Sequence, residues 1–392
     1  MKFIGNRKIM LEHLKTMVKI VPKESPVKEL RCFLIEANED DGYLYITANN
    51  FEVAIQRKFK ADIEVGGSFA IEAKLLTDML NLLSGDEVEF ELQKPGLTNI
   101  KSGKCVYSVK VLEDKLYPKP EIPFPDAMVN IGGIKQMYLK TYSSVASNEI
   151  ASEAMKGIHF EIGPNGFKTE SCNCKEMSIA TRKMPCGGKL EFVLPKQTFM
   201  YLSSCAGDDE LEVGVSGNSV VFIKEGLLFS TRKIAADYID IGKILDSVKP
   251  VYTAKIEHTD LKNVLLNTCD IASMGTETSY IKFEFGKDEI IVSTSNDVGM
   301  SHNELNCVLI SGSADTAFYY PSSTIKSVLK TVEGKLIVQV DKRGYLLIFD
   351  QFNKFMITPM TDMAVKKQEE KMEGYKNKSK SKKNVKEIKK AA

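Results

Sequence analysis

A histidine, a glutamate and several cysteines are the residues whose types and spacing could support metal chemistry. His159-Phe160-Glu161 followed by Pro185-Cys186 matches part of a site in which zinc activates water and the glutamate moves a proton. The second cysteine of such a site is absent, because Cys186 is followed by Gly187-Gly188-Lys189. Cys172-Asn173-Cys174 lacks zinc-knuckle spacing, and no phosphate-binding glycine loop is present. We therefore predict a protein that is not an enzyme and needs no metal or other cofactor.

Charge is the second informative property. The chain carries a net +1, but the segment from Met363 to Ala392 has eleven lysines and four glutamates, a net +7, which leaves −6 on the body. An acidic body excludes a surface that grips nucleic acid all over, yet permits a basic stripe. The segment 363–392 is basic and of low complexity, so we predict a disordered tail.

The elements that position these residues repeat along the chain. Phe33-Leu34-Ile35-Glu36, Ile158-His159-Phe160-Glu161 and Ile281-Lys282-Phe283-Glu284 each precede a turn and a second strand pattern. A second block, in which a short strand runs into a helical pattern, recurs at 69–83, 191–205 and 317–331. A further helical pattern opens each copy, at 8–20, 134–146 and 259–272. The period of about 122 to 127 residues predicts three copies of one unit.

Each copy has two helices and several hairpins, and no strand-helix-strand crossover pattern is present. The predicted fold class is therefore α+β with antiparallel sheets. The proline-rich stretch 118–125 and the segment 247–250 predict boundaries that divide the chain into residues 1–122, 123–248, 249–362 and the tail 363–392.

The repeat pattern and the closing segment Phe355-Met356-Ile357-Thr358-Pro359-Met360 resemble the bacterial DNA polymerase III beta subunit, the DNA sliding clamp. The similarity covers about residues 1–360. It implies that three clamp domains form half of a homodimeric ring that encircles duplex DNA without reading its sequence. It also implies that short peptides of the polymerase catalytic subunit and the clamp loader bind the ring.

Under this resemblance, lysines on the helices and in the first loop would face the DNA. These are Lys8, Lys15, Lys19, Lys23, Lys28, Lys74, Lys135, Lys140, Lys196, Lys262, Lys326 and Lys330. A sliding ring needs scattered cations and no base readout. The alternative for any one lysine is an ordinary solvated helix face.

The resemblance also implies a pocket for partner peptides between the second and third domains. It would involve Met155, Cys172, Asn173, Cys174, Lys175, Met177, Ile239, Lys243, Ile244, Met356, Ile357, Pro359 and Met360. Flexible methionines suit a surface that accepts several ligands, although core packing is the alternative for each methionine.

The chain departs from the family pattern at two places. Cys172-Asn173-Cys174-Lys175-Glu176-Met177 stands where the family has Thr-x-Gly-His-Arg-Leu, and about thirty residues follow Met360. These departures bear on which peptide is bound. A protein-binding scaffold that has the same fold but does not encircle DNA is the alternative function.

The cellular compartment is indicated by the absence of membrane-spanning and signal-peptide patterns. No apolar run approaches the ~20 residues that span a bilayer, and the N-terminus lacks the apolar core of a signal peptide. Eight scattered cysteines in such a chain are typical of reduced thiols. We predict a cytoplasmic protein.

Overall fold

The structure is a computed structural model that describes residues 1–147, 151–275, 280–313, 316–361 and 363–366. The predicted tail 363–392 lies outside the described residues from residue 367 onward. Among the described residues, every helix is too short or too polar to span a lipid bilayer.

The helices and strands follow one order three times, except that the second copy has eight described strands where the first and third have nine. The first copy comprises β1 Lys2–Asn6, α1 Arg7–Met17, a 3-10 helix Lys28–Arg31, β2 Cys32–Asn38, β3 Tyr43–Asn49, β4 Val53–Lys60, β5 Asp62–Val65, β6 Gly67–Glu72, α2 Ala73–Leu82, β7 Glu87–Lys94, β8 Leu97–Ser102, β9 Cys105–Lys110 and a 3-10 helix Asp114–Leu116. The second comprises β10 Val129–Ile131, α3 Ile134–Thr141, 3-10 helices Tyr142–Ser144 and Ala154–Lys156, β11 Gly157–Gly163, β12 Gly166–Cys172, β13 Glu176–Lys183, β14 Leu190–Pro195, α4 Lys196–Ala206, β15 Leu211–Ser216, β16 Ser219–Lys224 and β17 Leu227–Arg232.

A short helix, α5 Ile241–Asp246, precedes the third copy. That copy comprises β18 Pro250–Glu257, α6 His258–Met274, β19 Tyr280–Phe285, β20 Glu289–Ser295, β21 Met300–Asn306, β22 Val308–Gly312, β23 Phe318–Pro321, α7 Ser322–Thr331, β24 Lys335–Asp341, β25 Leu346–Phe349 and β26 Asn353–Ile357. The predicted α+β class and the strand-to-helix blocks are confirmed.

Two helices are shorter than their sequence patterns predict. The pattern at 8–20 gives α1, which ends at Met17, so Lys19 lies in the turn beyond the helix. Pro22 disfavours helical backbone at the residue before it, which limits the helix on that side. The pattern at 134–146 gives α3, which ends at Thr141. The Thr141 carbonyl accepts a hydrogen bond from the Ser171 hydroxyl at 2.5 Å, so a continued helix would have to compete for that acceptor.

The described chain divides into two compact units. Unit 1 comprises Met1–Tyr138, Gly157–Phe167 and Lys183–Asp237, and unit 2 comprises Leu139–Lys156, Lys168–Arg182 and the chain from Tyr238 onward. In unit 1, one sheet has the order β5-β1-β7-β8-β9, another has the order β10-β15-β16-β17-β4-β3-β2-β6, and β11 pairs with β14. In unit 2, the strand orders are β13-β26-β25-β24-β18-β22 and β21-β20-β19-β23. The domain boundaries at 122 and 248 stay predictions.

Equivalent asparagine turns precede β4, β13 and β21. The backbone N–H groups of Asn50, Asn173 and Asn296 donate to the carbonyl three residues on, at 3.1, 3.1 and 2.9 Å. Because the three turns are equivalent, residues of the strands that follow can be compared by their distance along the chain from the turn asparagine. This distance matters because two of these strands join a neighbouring copy.

Each joint pairs one of these strands with the last strand of the next copy. In unit 1, β4 is antiparallel to β17 from Arg57 opposite Leu227 to Val53 opposite Thr231. In unit 2, β13 is antiparallel to β26 from Ala180 opposite Asn353 to Glu176 opposite Ile357. Arg57 and Ala180 are each the seventh residue after their turn asparagine, so the two joints share one register.

The core of the third copy lies between its helices and its sheets. α6 and α7 pack their apolar faces inward, and Phe283 and Tyr320 meet edge to face with ring centroids 5.4 Å apart. The Tyr320 hydroxyl donates to the Gly344 carbonyl at 2.8 Å, so the buried polar atom has a partner. Full burial of side chains of this size stabilises the fold by about 1.5–3 kcal/mol each.

Candidate functional site

Six of the residues predicted for a peptide pocket lie in one apolar cluster of unit 2, which we call the methionine cluster. They are Met155, Cys172, Met177, Ile239, Ile244 and Met356. Met356 on β26 lies opposite Met177 on β13, so the joint itself presents the two side chains together. Met155 and Met356 are buried, whereas Met177, Ile239 and Ile244 are half-buried. The half-buried members leave apolar surface that a ligand could cover.

A tight turn holds the polar edge of the methionine cluster. The Asn173 side-chain oxygen accepts from the backbone N–H groups of Lys175 and Glu176, at 3.1 and 3.0 Å. Its amide group donates to the Glu176 carboxylate at 3.0 Å. Cys174 has a φ of 67°, the left-handed conformation that side chains rarely adopt. The turn therefore fixes where the exposed Cys174 and Lys175 side chains leave the chain.

The segment around α5 forms the opposite edge. Asp240 caps the helix by accepting from the Lys243 backbone N–H at 2.9 Å, and its carboxylate pairs with the Lys243 Nζ at 3.0 Å. Ile241 and Leu245 are buried in the methionine cluster, and Ile244 is half-buried. The Lys243 side chain is 86% exposed, so it stands at the rim and outside the apolar contacts.

The remaining predicted pocket residues lie elsewhere in unit 2. Ile357 points to the opposite face of β26 from Met356 and belongs to the core of the third copy. Pro359 and Met360 line a separate cavity of about 400 Å³ beside Phe318 and Tyr319. The Met360 N–H donates to the Tyr319 carbonyl at 2.7 Å, which anchors this segment.

Burial controls the chemistry of the thiol in the methionine cluster. Desolvation raises the pKa of Cys172 to about 11, with a smaller contribution from Cys174. The Cys172 backbone N–H donates to the Tyr238 hydroxyl at 3.1 Å, and burial raises the pKa of Tyr238 as well. Both groups are therefore neutral near pH 7 and serve as packing and hydrogen-bonding groups.

Several members of the methionine cluster were not among the predicted residues. Tyr238, Tyr345, Leu347 and Phe349 all pack there. Tyr345, Leu347 and Phe349 are spaced two residues apart around β25, so strand alternation could have identified them once β25 was paired with β26.

The predicted DNA-facing lysines are mostly exposed. Nine of them lie on the helices: Lys8 and Lys15 on α1, Lys74 on α2, Lys135 and Lys140 on α3, Lys196 on α4, Lys262 on α6, and Lys326 and Lys330 on α7. The other three, Lys19, Lys23 and Lys28, follow α1 along the chain. Lys140 and Lys196 are half-buried. Lys8 pairs with Asp86 at 2.8 Å, Lys326 with Asp270 at 3.5 Å and Lys140 with Glu333 at 3.4 Å. The exposed pairs of Lys8 and Lys326 are weak and would exchange readily for a phosphate.

Three of these lysines line one cavity of unit 1. Lys19, Lys23 and Lys74 surround a space of about 680 Å³ together with Arg31. Arg31 was not among the predicted residues, because the sequence pattern does not show where the path of the first loop places its side chain.

The residues considered for zinc do not form a metal site in the described part of the chain, where no group of three potential ligands is found. The His159 Nε2 lies 2.9 Å from the Glu191 carboxylate, and the Cys186 thiol contacts the Met184 carbonyl at 3.5 Å.

Comparison with known proteins identifies related sequences. The sequence model of a family described as DNA polymerase III beta subunit, N-terminal domain, matches residues 1–122. The beta sliding clamp of Lactococcus lactis is 21% identical over 355 residues, which cover 85% of this chain and 90% of the relative. That of Halalkalibacterium halodurans is 23% identical over 257 residues, which cover 61% of this chain and 66% of the relative.

Solved structures share the fold. A putative DNA polymerase III beta subunit from Eubacterium rectale superposes with a TM-score of 0.83 at 19% identity and covers 92% of this chain and 100% of its own. The sliding clamp of Bacillus subtilis superposes with a TM-score of 0.81 at 18% identity, covering 92% of this chain and 99% of its own.

Proposed function

We propose that this chain, a member of the DNA polymerase III beta subunit family, works as a DNA sliding clamp. Two copies close a ring around duplex DNA and tether the replicative polymerase and other replication and repair proteins. The chain is a non-catalytic accessory subunit. It acts in the cytoplasm, where the bacterial chromosome is replicated.

The observation that carries this proposal is a pair of strands at sheet edges. Among the described strands, β9 ends its sheet and so does β21, although their counterparts in the other copies pair with each other. β17 and β26 are the counterparts of β9, and β4 and β13 are the counterparts of β21. A long unpaired edge is a template for another strand. Pairing of β9 with β21 of a second copy, and the reverse, closes a ring of six repeats.

The register of the two internal joints predicts the register of this contact. The seventh residue after the turn asparagine lies opposite the first residue of the partner strand in both joints. Applied to β21 and β9, this rule sets Asn303 opposite Cys105 and His302 opposite Val106. Antiparallel strands in this register put residues of the same sheet face together.

The lysines supply the positive charge that binding to duplex DNA requires. Duplex DNA attracts cations without regard to sequence, and lysines on six helices, exposed on five of them, offer contacts that break and re-form as the ring slides. The acidic remainder of the body keeps other surfaces from binding DNA.

The methionine cluster supplies the binding site for the proteins that the ring tethers to DNA. Its half-buried Met177, Ile239 and Ile244 offer apolar area to a short peptide, and Lys243 and Lys175 at its rim attract acidic residues of that peptide. We assign this site to peptides of the polymerase catalytic subunit and the clamp loader.

The test is retention on DNA of different topology. The purified protein is loaded with its clamp loader onto nicked circular DNA, half of which is then cut with a restriction enzyme, and bound protein is measured after gel filtration at high salt. A ring stays on the circles and slides off the linear ends. Binding that is indifferent to ends would contradict the proposal and would favour a scaffold with the clamp fold.

Mass in solution by light scattering accompanies this test. The proposal predicts twice the mass of the 43.7 kDa chain. A monomer at all concentrations would contradict it.

A further inference from the structure

The cavity lined by Lys19, Lys23, Arg31 and Lys74 brings four basic side chains around one space. Glu72 and Asp78 also line it, so the lining carries a net +2. Arg31 pairs with Glu72 at 3.3 Å. No ion pair is found in the described chain for Lys19, Lys23 or Lys74, whereas Lys8 and Lys326 each have an acidic partner.

Like charges around one space repel each other, and the cost falls when an anion enters. The three lysines come from two segments of the chain: Lys19 and Lys23 from the residues that follow α1, and Lys74 from the first turn of α2. The fold therefore assembles a cationic rim, which is more than one solvated helix face.

The wall of the cavity is apolar. Val18, Val21 and Pro22 line it and are half-buried. A volume of about 680 Å³ lies within the range of small-ligand sites and holds a nucleotide. The rigid, convex surface of a duplex cannot enter such a space, but a nucleotide of a flexible single strand can place its base against the apolar wall and its phosphates on the rim.

We propose that this cavity binds single-stranded DNA, taking up one unpaired nucleotide at a time. The inference rests on the proposed function for its choice of nucleic acid as ligand. It adds to the sliding contacts a site that recognises the single-stranded part of a primed template, with Arg31 and Lys74 on the phosphates and Val21 against the base.

The experiment measures fluorescence anisotropy of a labelled oligothymidylate of about 12 nucleotides, titrated with the full-length protein over a range of salt concentrations. Lys74→Gln removes one rim charge from an exposed helix position. We expect it to weaken binding roughly fivefold and to lower the slope of log affinity against log salt by about 0.7, the value for one contact with a single strand.

Val21→Phe reduces the volume of the cavity without changing its charge. We expect it to weaken binding of the oligonucleotide and to leave the salt slope unchanged. Lys60→Gln, an exposed lysine at the end of β4 and outside the cavity, is the matched control and should leave both quantities unchanged.

Three results would overturn the inference. Equal losses for Lys74→Gln and Lys60→Gln would mean that general surface charge binds the strand, and full affinity of Val21→Phe would mean that no nucleotide enters the cavity. Polyglutamate that binds where the oligonucleotide does not would assign the site to an acidic polypeptide, which also overturns it. Retention of wild type on circular DNA is measured separately, so failure of this inference and failure of the clamp proposal are distinguishable.

Discussion

The joint between β4 and β17 in unit 1 and the joint between β13 and β26 in unit 2 have one backbone register and different outer faces. Phe229 and Phe355 occupy equivalent, fully buried positions. The next residue along each strand points the other way, and there the joints differ. Unit 1 has Ser230 opposite Ala54, and unit 2 has Met356 opposite Met177.

This difference separates what the fold requires from what the function requires. The inward phenylalanine is needed in both joints because it fills a core. The position on the other face differs between the joints, and in unit 2 it carries an apolar pair that extends into the methionine cluster. In unit 1, Ala54 and Ser230 instead border a cavity of about 310 Å³ that Glu52, Lys119 and Arg232 also line.

The largest expected effect is at the outward position of the unit 2 joint. Met356→Ala should lower the free energy of unfolding by about 2–4 kcal/mol, because it removes a buried side chain and leaves a cavity. Ser230→Ala, the equivalent change in unit 1, should cost less than about 1 kcal/mol. Urea denaturation followed by circular dichroism measures both, and equal costs would contradict the asymmetry of the two joints.

Thiol reactivity provides the next contrast. The pKa of Cys172 is raised from 9.0 to about 11, so its thiolate fraction at pH 8 is lowered about a hundredfold. Cys174 is exposed, and we expect iodoacetamide to modify it well before Cys172, as read by peptide mass spectrometry. The stability contributed by the protonated Cys172 thiol is full below pH 9 and is lost as pH rises through about 11. Equal alkylation rates of Cys172 and Cys174 would show that the reagent reaches the interior of the methionine cluster.

The asparagine turns should be equally important in both units. Asn173→Ala removes two accepted N–H bonds and one donated bond, and Asn50→Ala removes bonds to Glu52, Val53 and Ile20. Each change should cost about 1–3 kcal/mol, since backbone groups lose their partners. Asn218→Ala in an exposed turn is the control and should change stability by less than about 0.5 kcal/mol. A large cost at only one turn would break their equivalence.

The smallest effect concerns backbone conformation. Phe51 and Cys174 are equivalent turn residues with φ of 71° and 67°. Replacing either with glycine should stabilise the protein by about 0.5 kcal/mol, because relief of left-handed strain exceeds the added entropy of the unfolded chain. Thermal unfolding measures the shift, and destabilisation by both changes would mean that the side chains, chiefly the 56%-exposed Phe51, make contacts that matter.

The sequence was sufficient for the repeat and for the order of its elements, because strand alternation and helical spacing are local. It was insufficient to show which residues lie on each face of β26. Met356 and Ile357 were predicted for one pocket, but adjacent residues of a strand point to opposite faces, and Ile357 belongs to the core of the third copy. Arg31 was missed because its approach to Lys74 depends on the path of the first loop, which no periodicity encodes.

Closure of the ring depends on the contact between β9 of one copy and β21 of another. Asn303→Cys sets a thiol opposite the native Cys105 in the predicted register, and His302→Cys sets one on the opposite face of the same strand. Under mild oxidation, non-reducing electrophoresis should show a covalent dimer for Asn303→Cys, none for His302→Cys, and none when Cys105→Ser is combined with Asn303→Cys. No cross-link at Asn303→Cys, or equal cross-linking at both positions, would contradict ring closure in this register.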